Sequence, residues 1–280
     1  MRFGIKTAPQ HTTWAGMLAV WQAADDIEVF ESAWNFDHLY PIFSDSTGPC
    51  LEGWTMLAAM AQATSRLRLG VQVGAMGYRH PGVLANMAAT IDIVSGGRLE
   101  IGLGAGWNEE ETDAYGIELP PLKERFDRFD EGVEAIVRLL TQETTTFEGD
   151  WVRLTEARCE PKAVQRPHPP IAIGGTGRRR TLRTTARWAQ HWNALVGDPA
   201  QWRELRDVLD AHCADVGRDP AEIESSVTLW YDPAVGAGPL AETAAGFADV
   251  GVDIAVLYLP VPHTPDVLEP LAEAMAPLRG

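Results

Sequence analysis

Short apolar runs rich in valine, isoleucine and leucine recur along the whole chain. Eight such runs are present, at Arg2–Ile5, Ser32–Phe36, Leu67–Val73, Leu99–Leu103, Ile171–Ile173, His191–Leu195, Ser225–Trp230 and Ile254–Leu259. Between them, apolar residues repeat every three or four positions, which is the period of an amphipathic helix. Strands that alternate with helices pair in parallel, and eight such units favour one closed (β/α)8 barrel, a TIM barrel, over an open sheet.

The helical patterns and one irregular stretch complete the predicted order of elements. Helices are predicted near Trp14–Phe30, Gly53–Thr64, Val83–Val94, Lys123–Leu140, Thr181–Trp188 and Pro199–Cys213, and a helical segment is predicted after each of the last two strands. Between the fourth and fifth strands, Thr144–Leu154 alternates in polarity as a β-hairpin does, and the proline-rich Pro161–Pro170 follows it. We interpret both stretches as an insertion into a single domain that spans residues 1–280.

Charge and composition restrict the partners and the location of the chain. A formal net charge of -16 disfavours nucleic acid, which binds proteins through lysine and arginine. No run approaches the roughly 18 consecutive apolar residues that a membrane helix needs. The chain opens directly into a strand without the pattern of an export signal, and its three cysteines are few and far apart. We therefore expect a cytoplasmic protein that acts on a small molecule.

Polar and glycine-rich segments follow three of the predicted strands at their C-terminal ends. Asp37 and His38 follow the second strand, Gly104–Asn108 follows the fourth, and Gly174–Arg178 follows the fifth. The C-terminal ends of the strands of a parallel barrel all open onto one face, where active sites are built. The sequence therefore predicts a single candidate site from these separate segments.

His38 is the candidate catalytic residue of this site. Of the seven histidines, it alone lies beside an acid at the C-terminal end of a strand. An imidazole there can act as general acid or base near neutral pH, and we expect Asp37 to tune its pKa or its orientation. No metal-ligand spacing and no Gly-x-Ser-x-Gly motif is present, so neither a metal centre nor a serine nucleophile is expected.

Two glycine-rich segments are candidates for cofactor binding. Gly102–Gly106 has the spacing GxGxG, whereas a dinucleotide-binding site needs GxGxxG, so a dinucleotide site is not expected. These glycines could instead form a tight turn at the end of the strand or let a flat cofactor approach the backbone. Trp107 follows, where its ring could stack on a cofactor or substrate. Gly174, Gly175, Thr176, Gly177 and Arg178 combine free backbone amides, a helix start and positive charge, which is typical of a phosphate site. The alternative is a glycine turn before a solvated basic helix.

Several segments together resemble the bacterial luciferase-like oxidoreductase family, and within it the members that use the deazaflavin coenzyme F420. The matching segments are Trp34–Tyr40, Leu67–Val73, His80–Gly82, Gly96–Asn108 and Pro170–Gly175. The resemblance implies a (β/α)8 barrel with an insertion near the fifth strand. It also implies a bulge after the third strand, with a cis peptide bond between Gln72 and Val73, against which the deazaflavin ring lies.

The same resemblance assigns roles to individual residues. It places the ring or its ribityl chain near Asp37, Gly74, Ala75, Ala105 and Gly106. It places the cofactor phosphate near Gly174, Gly175, Gly177 and Arg178, and His38 beside the deazaflavin C5 atom, where hydride leaves or arrives. A homodimer is also plausible by this analogy.

Two positions depart from the members that oxidise a sugar phosphate. Those members have a tryptophan shortly after Asp-His and a glutamate after the glycine of the fourth strand, whereas this chain has Ile42 and Trp107. Any of Glu109, Glu110 and Glu111 could supply the missing carboxylate. The leading hypothesis is an F420-dependent oxidoreductase with His38 as proton relay. An FMN-dependent monooxygenase that uses reduced FMN and O2, and a flavin-binding protein without turnover, remain the alternatives.

Overall fold

The computed structural model describes residues 1–280, and its centre is a closed barrel of parallel strands. In chain order the strands are β1 (Arg2–Lys6), β2 (Phe30–Asn35), β3 (Arg68–Val71), β4 (Gly74–Ala75), β5 (Leu99–Gly104), β6 (Thr145–Glu148), β7 (Arg153–Ala157), β8 (Ile171–Gly174), β9 (His191–Ala194), β10 (Glu224–Trp230) and β11 (Ile254–Tyr258). The barrel order is β3-β2-β1-β11-β10-β9-β8-β5, and β5 pairs back with β3. The predicted eight-stranded barrel is confirmed.

Helices separate the barrel strands along the chain. They are α1 (Trp14–Asp26), α2 (Gly53–Ala63), α3 (Pro81–Val94), α4 (Glu109–Ala114), α5 (Leu122–Thr141), α6 (Thr181–Trp188), α7 (Pro199–Val216), α8 (Ala237–Asp249) and α9 (Leu268–Met275). The prediction that the first helix reaches Phe30 is wrong, because Phe30 pairs with Phe3 as the first residue of β2. The short helix α4 has no counterpart among the predicted elements. None of these helices combines the length and the apolar character that a membrane-spanning helix needs.

The insertion lies between β5 and β8, as predicted. Strands β6 and β7 form an antiparallel hairpin, and the Glu131 carboxylate of α5 accepts hydrogen bonds from three backbone amides of its turn, at 2.9 to 3.1 Å. The proline-rich segment that follows is attached to α3, because the Asp92 carboxylate accepts from the amides of Val164 and Gln165. The insertion therefore packs onto the barrel helices, and the assignment of residues 1–280 to a single domain stays a prediction.

The interior of the barrel carries a buried polar network at the end away from the predicted site. His191 at the start of β9 bonds to Glu100 at 2.9 Å through Nδ1 and to Ser226 at 2.7 Å through Nε2. Burial alone would raise the pKa of Glu100, but His191 and Arg68 lower it to about 2. His191 therefore holds neighbouring strands together at the stability end of the barrel.

The third strand ends earlier than the sequence predicts. Its apolar run continues to Val73, yet β3 ends at Val71 and a bulge of Gln72 and Val73 separates it from β4. The peptide bond between these two residues is cis, as the family resemblance implied. Gln72 and Val73 line a cavity at the C-terminal mouth of the barrel.

Glycines on two neighbouring strands make room for the bulge. A Cβ atom on Gly102 would lie 1.7 Å from the Val71 carbonyl oxygen. On Gly104 and Gly174 it would lie 2.8 and 3.0 Å from the Val73 side chain. Gly102, Gly104 and Gly174 therefore serve the close packing of the bulge, whereas Gly106, the last glycine of the GxGxG segment, has a φ of +87° as the suggested tight turn requires.

We predict that Gly102→Ala destabilises the fold by about 3 kcal/mol or more, because the new methyl group overlaps a backbone atom that cannot move freely. The matched control is Gly246→Ala in the interior of α8, where a Cβ atom has only ordinary contact distances. That change should stabilise the protein by about 0.5–1 kcal/mol. Chemical denaturation of both variants measures the difference, and equal stability would contradict the packing argument.

Candidate active site

A cavity of about 590 Å³ opens at the C-terminal ends of the barrel strands. This volume lies within the range of about 300–1,000 Å³ that is usual for small-molecule sites. Eleven of the fourteen predicted site residues line it, namely Asp37, His38, Gln72, Val73, Gly74, Ala75, Ala105, Gly106, Trp107, Gly174 and Gly175. Thr176, Gly177 and Arg178 do not line it. The three separate segments therefore meet at one cavity, and the binding roles of these residues stay predictions.

His38 lies three residues beyond the end of β2, and its ring is fixed from three sides. Its Nδ1 atom lies 2.7 Å from the Glu111 Oε2 atom. The rings of Phe36 and Trp107 contact it edge to face, with centroids 5.0 and 5.6 Å away. Because an ionised carboxylate only accepts hydrogen bonds, Nδ1 is the donor of this pair. The Nε2 atom of His38 then has no hydrogen-bond partner within the chain.

Asp37 forms no hydrogen bond with His38, so the expectation that it orients the imidazole is wrong, whereas an effect of its charge on His38 stays a prediction. Asp37 is buried, and its carboxylate forms a two-point ion pair with Arg79, at 2.6 Å to Nη1 and 2.9 Å to Nη2. Burial raises the pKa of Asp37, and the Arg79 guanidinium opposes that shift. Arg79 also contacts Glu52, which caps α2. Asp37 thus builds the wall of the cavity and holds α2 in place.

Glu111 is the partner that sequence reasoning left undecided. It is fully buried, and besides His38 it accepts hydrogen bonds from the Tyr78 hydroxyl, at 2.5 Å, and from the Leu39 backbone amide. Burial alone would raise the pKa of Glu111, but these three donors lower it below its usual range. Burial and the Glu111 carboxylate raise the pKa of Tyr78, so its hydroxyl remains a donor. Glu111 is therefore the ionised group that orients His38.

A local pattern selects Glu111 from its two acidic neighbours. Asn108 caps α4, and its side chain accepts from the Glu111 amide three residues later, at 3.2 Å. This is the spacing of a capping box, whose acidic residue normally turns back to the cap. Here the carboxylate turns to His38 instead, while Glu109 and Glu110 are exposed. Predicting a helix start at Asn108 would have singled out Glu111.

The glycine-arginine loop after β8 is only partly available to a ligand. Gly175 donates its amide to the Asn193 carbonyl, and Arg178 pairs with Glu204 at 2.7 Å. Arg180 pairs with Asp127 and Asp130. The backbone amides of Thr176, Gly177 and Arg178 donate to no acceptor of the chain. A phosphate at this loop would therefore be held by backbone amides more than by arginine charge.

The floor of the cavity carries two donors that the sequence analysis missed. The Lys6 Nζ atom donates to the Gln72 carbonyl oxygen, at 2.7 Å, and has no carboxylate partner. Burial lowers the pKa of Lys6 to about 8. The Gln72 side-chain amide nitrogen is buried and has no acceptor. Lys6 lies at the C-terminal end of β1, so the rule that identified His38 would have identified it as well.

We predict that Glu111→Gln lowers the free energy of unfolding by about 1–3 kcal/mol at pH 7, because the glutamine amide nitrogen cannot accept a hydrogen bond and at least one of the three donors at this position loses its acceptor. Glu110→Gln, an exposed neighbour on the same helix, should have no such effect. The pKa of Glu111 is lowered in the folded state. The stabilisation of the fold by ionised Glu111 is therefore fully present when the pH is above the pKa of an ordinary glutamate. The difference between Glu111→Gln and the parent protein should therefore shrink as the pH falls through that lowered pKa. A pH-independent difference in denaturant titrations would argue against an ionised Glu111.

Sequence similarity relates the chain to known proteins. The family model described as luciferase-like monooxygenase matches residues 1–233. An uncharacterised protein of Mycobacterium tuberculosis is 31% identical over 219 residues, 75% of this chain and 74% of that protein. An F420-dependent glucose-6-phosphate dehydrogenase of Microbacterium testaceum is 30% identical over 238 residues, 83% and 69% of the two chains. An FMNH2-dependent dimethylsulfone monooxygenase of Pseudomonas putida is 31% identical over 173 residues, 59% and 47%.

Solved structures share the fold at low identity. An F420-dependent secondary alcohol dehydrogenase in complex with an F420-acetone adduct has a TM-score of 0.89 at 18% identity, over 100% of this chain and 99% of that chain. The F420-dependent tetrahydromethanopterin reductase of Methanopyrus kandleri has a TM-score of 0.83 at 19% identity, over 99% of both. The family model covers most of the sequence, and its fold is the one described above. The chain belongs to the luciferase-like monooxygenase family.

Proposed function

We propose that the protein is an F420-dependent oxidoreductase that transfers a hydride between the deazaflavin C5 atom and a small organic substrate. The observation that carries the proposal is the His38–Glu111 pair at the wall of the cavity beside the bulge. It is supported by the F420-dependent enzymes among the relatives and structural neighbours. An FMN-dependent monooxygenase is the alternative, because one relative uses FMNH2.

The residues present fit a flat ring that carries carbonyl oxygens. At the cavity floor, Lys6 has N–H groups beyond the one bonded to the Gln72 carbonyl, and the Gln72 side-chain amide has no acceptor, so an oxygen atom of such a ring would accept from both. The bulge from Gln72 to Ala75 would support the ring face. The free amides of Thr176, Gly177 and Arg178 would hold a phosphate. Deazaflavin and flavin cofactors both offer this combination.

The protein's own part in the reaction is the movement of one proton. Bound F420 supplies a carbon centre that accepts or gives a hydride. When a substrate alcohol is oxidised, the hydride leaves its carbon and the hydroxyl proton passes to the His38 Nε2 atom, so that a carbonyl forms. Glu111 stabilises the positive charge that His38 gains, and it keeps Nε2 free by holding Nδ1. In the reductive direction, protonated His38 returns the proton to the substrate oxygen.

We predict that the purified protein binds F420 at least about tenfold more tightly than FMN, measured by fluorescence titration of each cofactor. His38→Ala should leave F420 affinity nearly unchanged, because the imidazole holds no part of the cofactor in this scheme. It should lower the rate of hydride transfer by about 10²–10⁴-fold, the usual contribution of a general acid or base. His168→Ala, which does not line the cavity, is the control.

Three results would contradict the proposal in different ways. Tight binding of FMN without binding of F420, together with O2 consumption driven by reduced FMN, would identify the monooxygenase. F420 binding without turnover of any alcohol, ketone or activated alkene would identify a carrier. Undiminished turnover in His38→Ala would remove the proton relay but keep the cofactor assignment.

We further predict that affinity for reduced F420 falls as the pH rises through about 8, where Lys6 loses its proton and its charge. A charged donor binds an acceptor oxygen more strongly than a neutral one, so the cationic form is the one that binds. Lys6→Met should bind more weakly and lose this pH dependence, whereas Lys6→Arg should stay charged over the whole range. Titrations between pH 6 and 10 test this, and an unchanged profile in Lys6→Met would exclude Lys6 from the cofactor site.

A further inference from the structure

We propose that the entrance of the cavity is a subsite for a planar, uncharged and mainly apolar substrate, held between two aromatic pairs. The first pair is Phe43 with Trp107, and the second is Trp230 with Tyr258. All four residues line the same cavity. This inference rests on the proposed function and specifies the substrate class of that site.

The first aromatic pair adjoins the reacting imidazole. The rings of Phe43 and Trp107 lie 5.7 Å apart with planes only 7° from parallel, and Trp107 in turn contacts His38. Yet Phe43 is 75% exposed and Trp107 is 53% exposed. Large apolar rings that remain exposed around a cavity usually mark a binding surface. A flat substrate placed against this pair would lie beside His38.

The second pair lies on the other side of the entrance. Trp230 at the end of β10 stacks on Tyr258 at the end of β11, with centroids 4.0 Å apart, and Trp230 is 55% exposed. Phe43 and Trp107 follow β2 and β5, which are the two neighbours of β3 in the barrel. Trp230 ends β10, which lies opposite β3 because it is four strands away in either direction around the barrel. The two pairs therefore face each other across the mouth of the barrel.

The charges around the cavity disfavour a phosphorylated substrate. The charged or titratable groups that line it are Lys6, Asp37, His38 and two tyrosines, and Asp37 is neutralised by Arg79. The Arg178 and Arg180 side chains are already paired with carboxylates. Lys6 lies at the floor beside Gln72, within reach of the cofactor in the proposed function. The entrance thus offers stacking surfaces, and the one cation that lines the cavity is Lys6, 5.5 Å from the centroid of the Tyr258 ring, in a chain whose net charge is -16.

The test compares ligands that differ in one charge. We would measure the binding of 2-naphthaldehyde, of 6-formyl-2-naphthoate, which carries one added carboxylate, and of glucose 6-phosphate by calorimetry, with and without F420. The uncharged aldehyde should bind at least about tenfold more tightly than its carboxylate, and glucose 6-phosphate should not bind. Phe43→Ala and Trp230→Ala should each weaken binding of the aldehyde by about tenfold, the usual effect of losing a stacking partner.

Trp14→Ala is the matched control, because Trp14 is 40% exposed and does not line the cavity. Phe43, Trp230 and Trp14 are all exposed, so we expect the three variants to fold. Thermal unfolding midpoints equal to that of the parent protein would show this. Equal affinity for the aldehyde and its carboxylate, or unchanged affinity in both mouth variants, would overturn the subsite. So would loss of a dimer in sedimentation velocity without loss of aldehyde binding, since the rings would then serve self-association.

The same samples separate this inference from the proposed function. Binding of the aldehyde that depends on Phe43 and Trp230, in a protein that does not bind F420, would support the aromatic subsite and reject the F420 assignment. Binding of F420 without binding of the aldehyde would support the F420 assignment and reject the aromatic subsite.

Discussion

The mouth of this barrel depends on the close approach of the Val71–Val73 segment to strands β5 and β8. The Val71 carbonyl oxygen occupies the place where a side chain on Gly102 would begin, and Val73 packs against Gly104 and Gly174. Because the segment is seated this deeply, the Gln72 carbonyl reaches Lys6 and the Gln72 side chain is buried without an acceptor. One packing constraint therefore determines both the shape of the cavity floor and the hydrogen-bond donors that it presents.

Periodicity predicts this fold well wherever a strand behaves regularly. Apolar runs locate the eight strands, and the rule that parallel strands end at one face brings three distant segments to one cavity. The same reasoning fails at Phe30 and at Val73. Phe30 continues the apolar period of the first helix although it belongs to β2, and Val73 continues an apolar run although it leaves the sheet. Pairing with a partner strand, which a local pattern does not contain, decides both cases.

The candidate site was predictable in its residue types and less so in its partnerships. His38 and Asp37 are adjacent in sequence, but His38 bonds to Glu111, 73 positions away, and Asp37 to Arg79, 42 positions away. Neighbouring residues in an extended segment point to opposite sides, so adjacency in sequence is poor evidence for contact. The arginines after β8 show the same effect, since the charge that suggests an anion site is neutralised by distant carboxylates such as Glu204.

These partnerships explain how a strongly acidic chain can present a cavity with little free charge. With Glu111 bound to His38, and with Asp37 bound to Arg79, neither carboxylate repels an electron-rich ligand. What remains is one unpartnered imidazole nitrogen on His38, one cation at the floor and aromatic surfaces at the entrance. A ligand that covers those surfaces displaces water from the imidazole, and electrostatic interactions strengthen as water leaves. The Glu111–His38 pair would then promote transfer of the substrate proton most strongly when a substrate fills the entrance. The packing of the substrate against the aromatic rings therefore couples substrate fit to proton transfer.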